Sequence, residues 1–150
     1  MIRRIPTHQE YLAYDGAHTH RLWAEVGPNW VCPACNRSKF QVLRWTTRFP
    51  KSPKAFQDWM APLHRHHDHS AGVFSNRCSR FPETIICDQC NAADGAAKRK
   101  LKLPKNFSFS PAEIAVFVVA TPHDKHAINY EMAYEIYVAI SMSGAVSSNG

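Results

Sequence analysis

The chain has 150 residues, of which 45% are hydrophobic and 20% charged, with a net charge of +6. That length supports one ordinary core and excludes two full domains. No stretch reaches the roughly 20 apolar residues of a membrane span, and the opening MIRRIPTHQEYLAY has no apolar run of signal-peptide length.

The charge is concentrated. Of the 18 Lys and Arg residues, only Arg3, Arg4, Arg21 and Lys125 lie outside the stretch from Arg37 to Lys105, which holds 14 cations against 5 acids, a local balance of +9. Such an excess points to a polyanionic partner, nucleic acid first, although a basic surface can also be merely solvated. The five cysteines are Cys32, Cys35, Cys78, Cys87 and Cys90. Their number is odd, and four of them form two CxxC pairs, which argues against a disulfide framework and for a reducing, cytoplasmic setting.

Taken in order, Thr7-His8-Gln9-Glu10 is a capping box and opens a short helix through Tyr11, Leu12 and Tyr14. Leu22, Trp23 and Val26 share a helical spacing over His18–Val26, which Gly27-Pro28 ends. Trp30 to Asn36 carries the first CxxC pair on a tight turn. Alternation over Lys39–Thr47 predicts a strand. The two prolines between Phe49 and Lys54 predict a loop, and Phe56, Trp59 and Met60 a short helix over Ala55–Leu63. Ser75–Glu83 is polar and loop-like, and Thr84-Ile85-Ile86 is a short apolar run into Cys87. Strong helix formers from Ala92 to Leu101 predict a helix starting at about Asn91. Ser110-Pro111-Ala112-Glu113 caps a further helix to about Ala120. Ile128, Met132, Ile136 and Ile140 form an apolar stripe on a last helix spanning about His123–Met142. The tail from Ser143 to Gly150 is small and polar and is expected to be disordered.

Two constellations carry chemistry. Cys32, Cys35, Cys87 and Cys90 supply four thiolates on two knuckles, which satisfy tetrahedral zinc with no open position, so the predicted zinc is structural. Its closure brings the residues between the pairs with it, including the run His64-Arg65-His66-His67-Asp68-His69. Cys78 matches no pair and reads as a buried thiol. In the histidine run, a neutral imidazole can deprotonate water near neutral pH. A carboxylate with an amide oxygen can hold a hard cation while leaving most of its shell open to water and phosphate. Asp68, His69 and Asn91 offer those parts, for magnesium or manganese. Lys98, Arg99, Lys100, Lys102 and Lys105, with Arg65, offer cations to a phosphate backbone.

From His64 onward the chain resembles the HNH, or ββα-metal, nucleases, and within them the phage recombination endonuclease VII family of junction resolvases. The likeness rests on Cys87-Asp88-Gln89-Cys90-Asn91-Ala92-Ala93-Asp94-Gly95, on the first clip Cys32-Pro33-Ala34-Cys35, and on a strand bearing Asp-His between the clips. It covers residues 30–105. It implies an α+β fold with a zinc-stapled ββα-metal (His-Me finger) core over 30–105, which the caps and apolar spacings flank with an N-terminal helical segment over 1–29 and C-terminal helices over 106–142. It also implies a DNA endonuclease with Asp68 and Asn91 on the catalytic cation and His69 as general base. The chain departs from the family in its spacing: alignment on Ala71-Gly72 instead places His66 at the aspartate position and His67 as base. The register with Asp68 and His69 is preferred because the spacing from Asp68 to Cys87 leaves room for a hairpin and because histidine replaces a hard-cation carboxylate poorly, leaving His67 and His66 as accessories. The stretch between the first clip and the histidine run is also longer than in the resolvases. The resemblance implies a homodimer with two active sites. The competing reading is a zinc-stabilised module that binds DNA without cutting it; a third is a zinc domain for protein contacts.

Overall fold

A computed structural model describes residues 3–68 and 80–143. The N-terminal segment carries helix α1 (His8–Ala13), a 3-10 turn (Ala17–Thr19) and helix α2 (His20–Glu25). The Thr7 hydroxyl accepts from the Glu10 amide and Glu10 accepts from the Thr7 amide, so the first capping box forms as the sequence requires. Gly16 has φ of +94°, and a Cβ there would stand 2.5 Å from the Trp23 Cβ, so this corner needs glycine both for its backbone and for the indole packed on it.

Residues 39–47 depart from the predicted strand. Ser38 and Gln41 form a reciprocal capping box, which starts the one-turn helix α3 (Lys39–Val42) before strand β1 (Arg44–Arg48) begins. The segment over 55–63 is likewise corrected: Phe56–Met60 is strand β2, antiparallel to β1, not a helix. Trp45 faces Trp59 across the pair with ring centroids 5.0 Å apart, and an aromatic cross-strand pair of this kind outweighs a weak helical spacing.

Strand β3 (Leu63–His66) pairs antiparallel with β4 (Thr84–Cys87), which runs without a break into helix α4 (Asp88–Leu101). The helix starts three residues before the predicted Asn91, with Cys87 as its N-cap. Its buried face is Cys90, Ala93, Asp94 and Ala97, and these small side chains let neighbouring elements approach closely. Helix α5 (Pro111–Phe117) opens on the expected box at Ser110. It stops three residues earlier than expected because Val118-Val119, both β-branched, form strand β5 against β6 (Ala127–Ile128). That small hairpin displaces the start of the last helix, α6 (Tyr130–Met142), where the Asn129 side chain accepts from the Met132 amide.

Among the described residues the sheets are three two-stranded hairpins, β1-β2, β3-β4 and β5-β6. The core lies around α4: Leu63, Ile86, Ile114, Phe117 and Ala133 close over it from β3, β4, α5 and α6, joined by Leu43 after α3 and Phe109 before α5, each at most 1% exposed. Among the described residues no helix is long and apolar enough to cross a membrane.

Candidate metal centre and the histidine-rich turn

The first CxxC pair sits on a knuckle. The Arg37 carbonyl accepts from the Cys32 amide at 2.9 Å, the Cys32 carbonyl accepts from Asn36 at 2.8 Å, and Asn36 takes the left-handed conformation with φ of +63°. Val31 and Ser38 close the turn as an isolated antiparallel bridge. The second pair sits on the N-cap and first turn of α4.

The four sulfurs lie within 4.8 Å of one another. Cys32 Sγ is 3.9 Å from Cys90 Sγ, and Cys35 Sγ is 3.8 Å from Cys87 Sγ. A zinc–sulfur bond of about 2.3 Å in a tetrahedron gives an edge of about 3.8 Å between ligands. A disulfide would hold two sulfurs at about 2.05 Å. The four cysteines therefore have the spacing of a structural zinc site and are free of disulfide bonds.

Two residues outside the motifs complete the surroundings. Arg37 donates from Nε to Cys35 Sγ at 3.3 Å and from Nη2 to Cys87 Sγ at 3.5 Å, while Nη1 donates to the Thr121 and Asp124 carbonyls at 3.0 and 3.2 Å. Burial disfavours its charge, but the Cys87 and Cys35 sulfurs outweigh that and raise its pKa. The buried guanidinium therefore offsets negative charge that four thiolates on a divalent cation would leave. His126 lies with Nε2 3.2 Å from Cys90 Sγ, and its amide donates to Gln89 at 3.2 Å. Burial lowers its pKa, and the nearby sulfurs, Cys35 first, more than compensate and raise it. Hydrogen bonding from Cys32, then from Cys87 and Cys90, holds the Cys35 thiol below the usual thiol range. The sequence offered no local signal for either partner, since Arg37 resembles any basic residue and His126 is 36 residues from Cys90.

At the other end of the hairpin the chain leaves β3 through His67 and Asp68. Side chains alternate as a strand demands: Arg65 and His67 are exposed, while His66 and Asp68 are each 3% exposed. His66 stacks on Phe81 at 5.3 Å and its Nε2 meets the Phe109 carbonyl at 2.6 Å. The Phe109 amide in turn donates to Asp94 at 2.9 Å. The end of β3 is thus tied to α4 at Asp94, the turn after Asn91. Asp68 accepts from the Arg80 amide at 2.7 Å, and the Arg80 guanidinium forms a bidentate pair with Glu113 at 2.9 and 3.0 Å. His64 is held by Asp88 at 3.0 Å. Asn91 is half-buried, and its side-chain amide has no hydrogen-bond partner among the described residues. His69 and Cys78 lie outside the described residues, as do positions 144–150 of the expected disordered tail.

The cations divide into engaged and open. Lys98 pairs with Asp94 at 3.0 Å, Lys100 lies 4.9 Å from the Tyr130 ring centroid, and Arg65 pairs with Glu25 at 2.8 Å and with Glu83 at 3.7 Å. Arg99, Lys102 and Lys105 are exposed. Comparison with family models, with curated proteins and with solved structures finds no match to this chain.

Proposed function

We propose that the protein is a metal-dependent DNA endonuclease of the ββα-metal type, in which the cysteine cluster holds a structural zinc and the histidine-rich turn does the chemistry. The observation that carries this reading is the order of parts: a zinc-spaced knuckle, a β-hairpin whose first strand leads into His66-His67-Asp68, and a helix that starts at the second cysteine pair and bears Asn91 on its first turns. The Asn91 amide oxygen and the Asp68 carboxylate are a donor set for magnesium or manganese. A divalent cation bound by them supplies charge neutralisation at the scissile phosphate. His69 takes the proton from the attacking water, with His67, exposed beside Asp68, as the base of the alternative register. Exposed Arg99, Lys102 and Lys105 steer the DNA backbone, and two copies of the chain cut two strands.

The second reading, a zinc-stabilised module that binds DNA without cutting it, is favoured by one observation. Asp68 and His66 are buried and bonded to Arg80 and Phe109, as structural residues are. Supercoiled plasmid with magnesium or manganese separates the two. Nicking by the native chain, absent in both Asp68→Ala and Asn91→Ala while DNA binding persists, supports the nuclease. Plasmid left intact at every metal concentration leaves the binding module. His67→Ala and His69→Ala, compared under the same conditions, identify the base.

A further inference from the structure

A cavity of about 520 Å³ lies between the β1-β2 hairpin and the start of α4. Its size is that of a mononucleotide-scale ligand site. Arg44, Arg48 and Arg37 line it, with Phe49 and Met60 as apolar wall and Asp88 as the acid at the helix end. Arg37 is committed to sulfurs and carbonyls, and Asp88 is held by His64. Arg44 is different. It is half-buried, and its guanidinium makes no hydrogen bond or ion pair with the described residues. Burial lowers its pKa, with Asp88 and Asp124 too weakly placed to restore it. A guanidinium in that position gains most from an anion that enters the cavity.

The rim above it has the second needed feature. Phe49 and Phe56 are 59% and 46% exposed, and their rings stand 6.2 Å apart. The Arg48 guanidinium lies 5.2 Å from one ring centroid and 5.5 Å from the other. Lys51 and Lys54 are exposed on the connecting turn. From Arg44 to Met60 the hairpin therefore holds four cations against Asp58 alone. Phe49 has φ of +52°, a conformation few bulky residues adopt, and its carbonyl accepts from Ser52 at 2.9 Å, so the turn fixes the ring outward. Cations alone would suit any phosphate backbone. Exposed rings beside them suit bases that are not already stacked in a duplex.

We propose that the β1-β2 hairpin and the cavity beneath it bind single-stranded nucleic acid, with a phosphate between Arg44 and Arg48 and an unpaired base on Phe49. This rests on the nucleic-acid reading above but not on cleavage. The test is fluorescence anisotropy of a labelled single strand of about 12 nucleotides, within the site sizes typical of such grooves, and its matched duplex, without added magnesium, over a range of salt. Phe49→Ser should weaken single-strand binding roughly tenfold, the scale of losing one base stack. Arg44→Gln should lower the salt slope by about 0.7, one phosphate on a single strand. Zinc content and melting of each variant check the fold, and Phe49, being exposed, gives a variant that leaves the core untouched. Single-strand binding by both variants equal to the native chain overturns the proposal, as does tighter duplex binding indifferent to Phe49, or no binding at all. Binding that depends on Phe49, with plasmid left intact when magnesium or manganese is supplied, supports the proposal and defeats the nuclease. Normal plasmid nicking with both variants binding as the native chain does defeats the proposal alone.

Discussion

At one end of the β3-β4 hairpin Leu63 faces Cys87 and four sulfurs converge; at the other His66 faces Thr84 and the chain leaves the strand through His67 and Asp68. Both ends are dense in metal-binding side chains, yet they are built differently. At the first, each ligand pair is set by a short knuckle or helix turn, and all four sulfurs point to one place. At the second, the side chains at the end of β3 and just beyond it alternate between core and solvent, so His66 and Asp68 are drawn into the protein while His67 is exposed. A run of ligand residues on a strand is a different object from paired ligands on turns. Spacing on a turn sets direction, whereas a run on a strand sends neighbours to opposite faces.

The contrast is attacked most severely at the cysteine end. Removing zinc by chelation, or replacing Cys90 with Ser, should unfold the chain, because structural zinc in small domains contributes about 10–16 kcal/mol. Circular dichroism with metal analysis reads it, and a chain that keeps its helices and cooperative melt after chelation would show that the core holds without the metal. Cys78→Ser should keep both zinc and fold.

The next largest effect separates chemistry from structure at the other end. Asp68→Asn keeps an oxygen for the Arg80 amide but removes the charge. If Asp68 serves the cation, cleavage falls by orders of magnitude while the melting temperature hardly moves. If it is structural, Asp68→Ala costs about 1–3 kcal/mol, the penalty of a buried unpaired amide, and Asp68→Asn recovers most of it. Thermal melts beside a nicking assay distinguish these outcomes.

A smaller change tests the residues around the sulfurs. Arg37→Met removes both bonds to thiolates and should weaken zinc binding about 10- to 100-fold, the usual effect of removing an outer partner. Competition with a chromogenic chelator measures it, and unchanged affinity would reduce Arg37 to a brace for the 121–124 turn. The smallest effect concerns α4. Changing Lys98, Arg99 and Lys100 together to Ala should flatten the salt dependence of duplex binding by about 0.9 for each phosphate that is no longer neutralised. Lys98 and Lys100 already have partners in Asp94 and Tyr130, so a slope change of about 1 is expected, and not about 3.

Local sequence decides whatever depends on neighbours within a turn. The capping boxes at Thr7 and Ser110, the two CxxC pairs and the apolar run into Cys87 all appear where their local patterns place them, because a cap or a knuckle closes over a few residues. The box at Ser38 and the cap at Asn129 are equally local, but the alternation over 39–47 and the stripe ending at Ile140 compete with them in the pattern and point elsewhere. Packing between distant segments sets the rest. Strand β2 exists because Trp59 finds Trp45, and the last helix begins late because Val118 finds Ile128. Arg37 reaches the Cys87 sulfur, and His126 the Cys90 sulfur, only once α4 meets the first knuckle and the 121–126 segment. Asp68 goes inside because the Arg80 amide is there to receive it. Each of these depends on a partner well beyond the local turn, and composition and spacing carry no record of which distant partner a side chain will find.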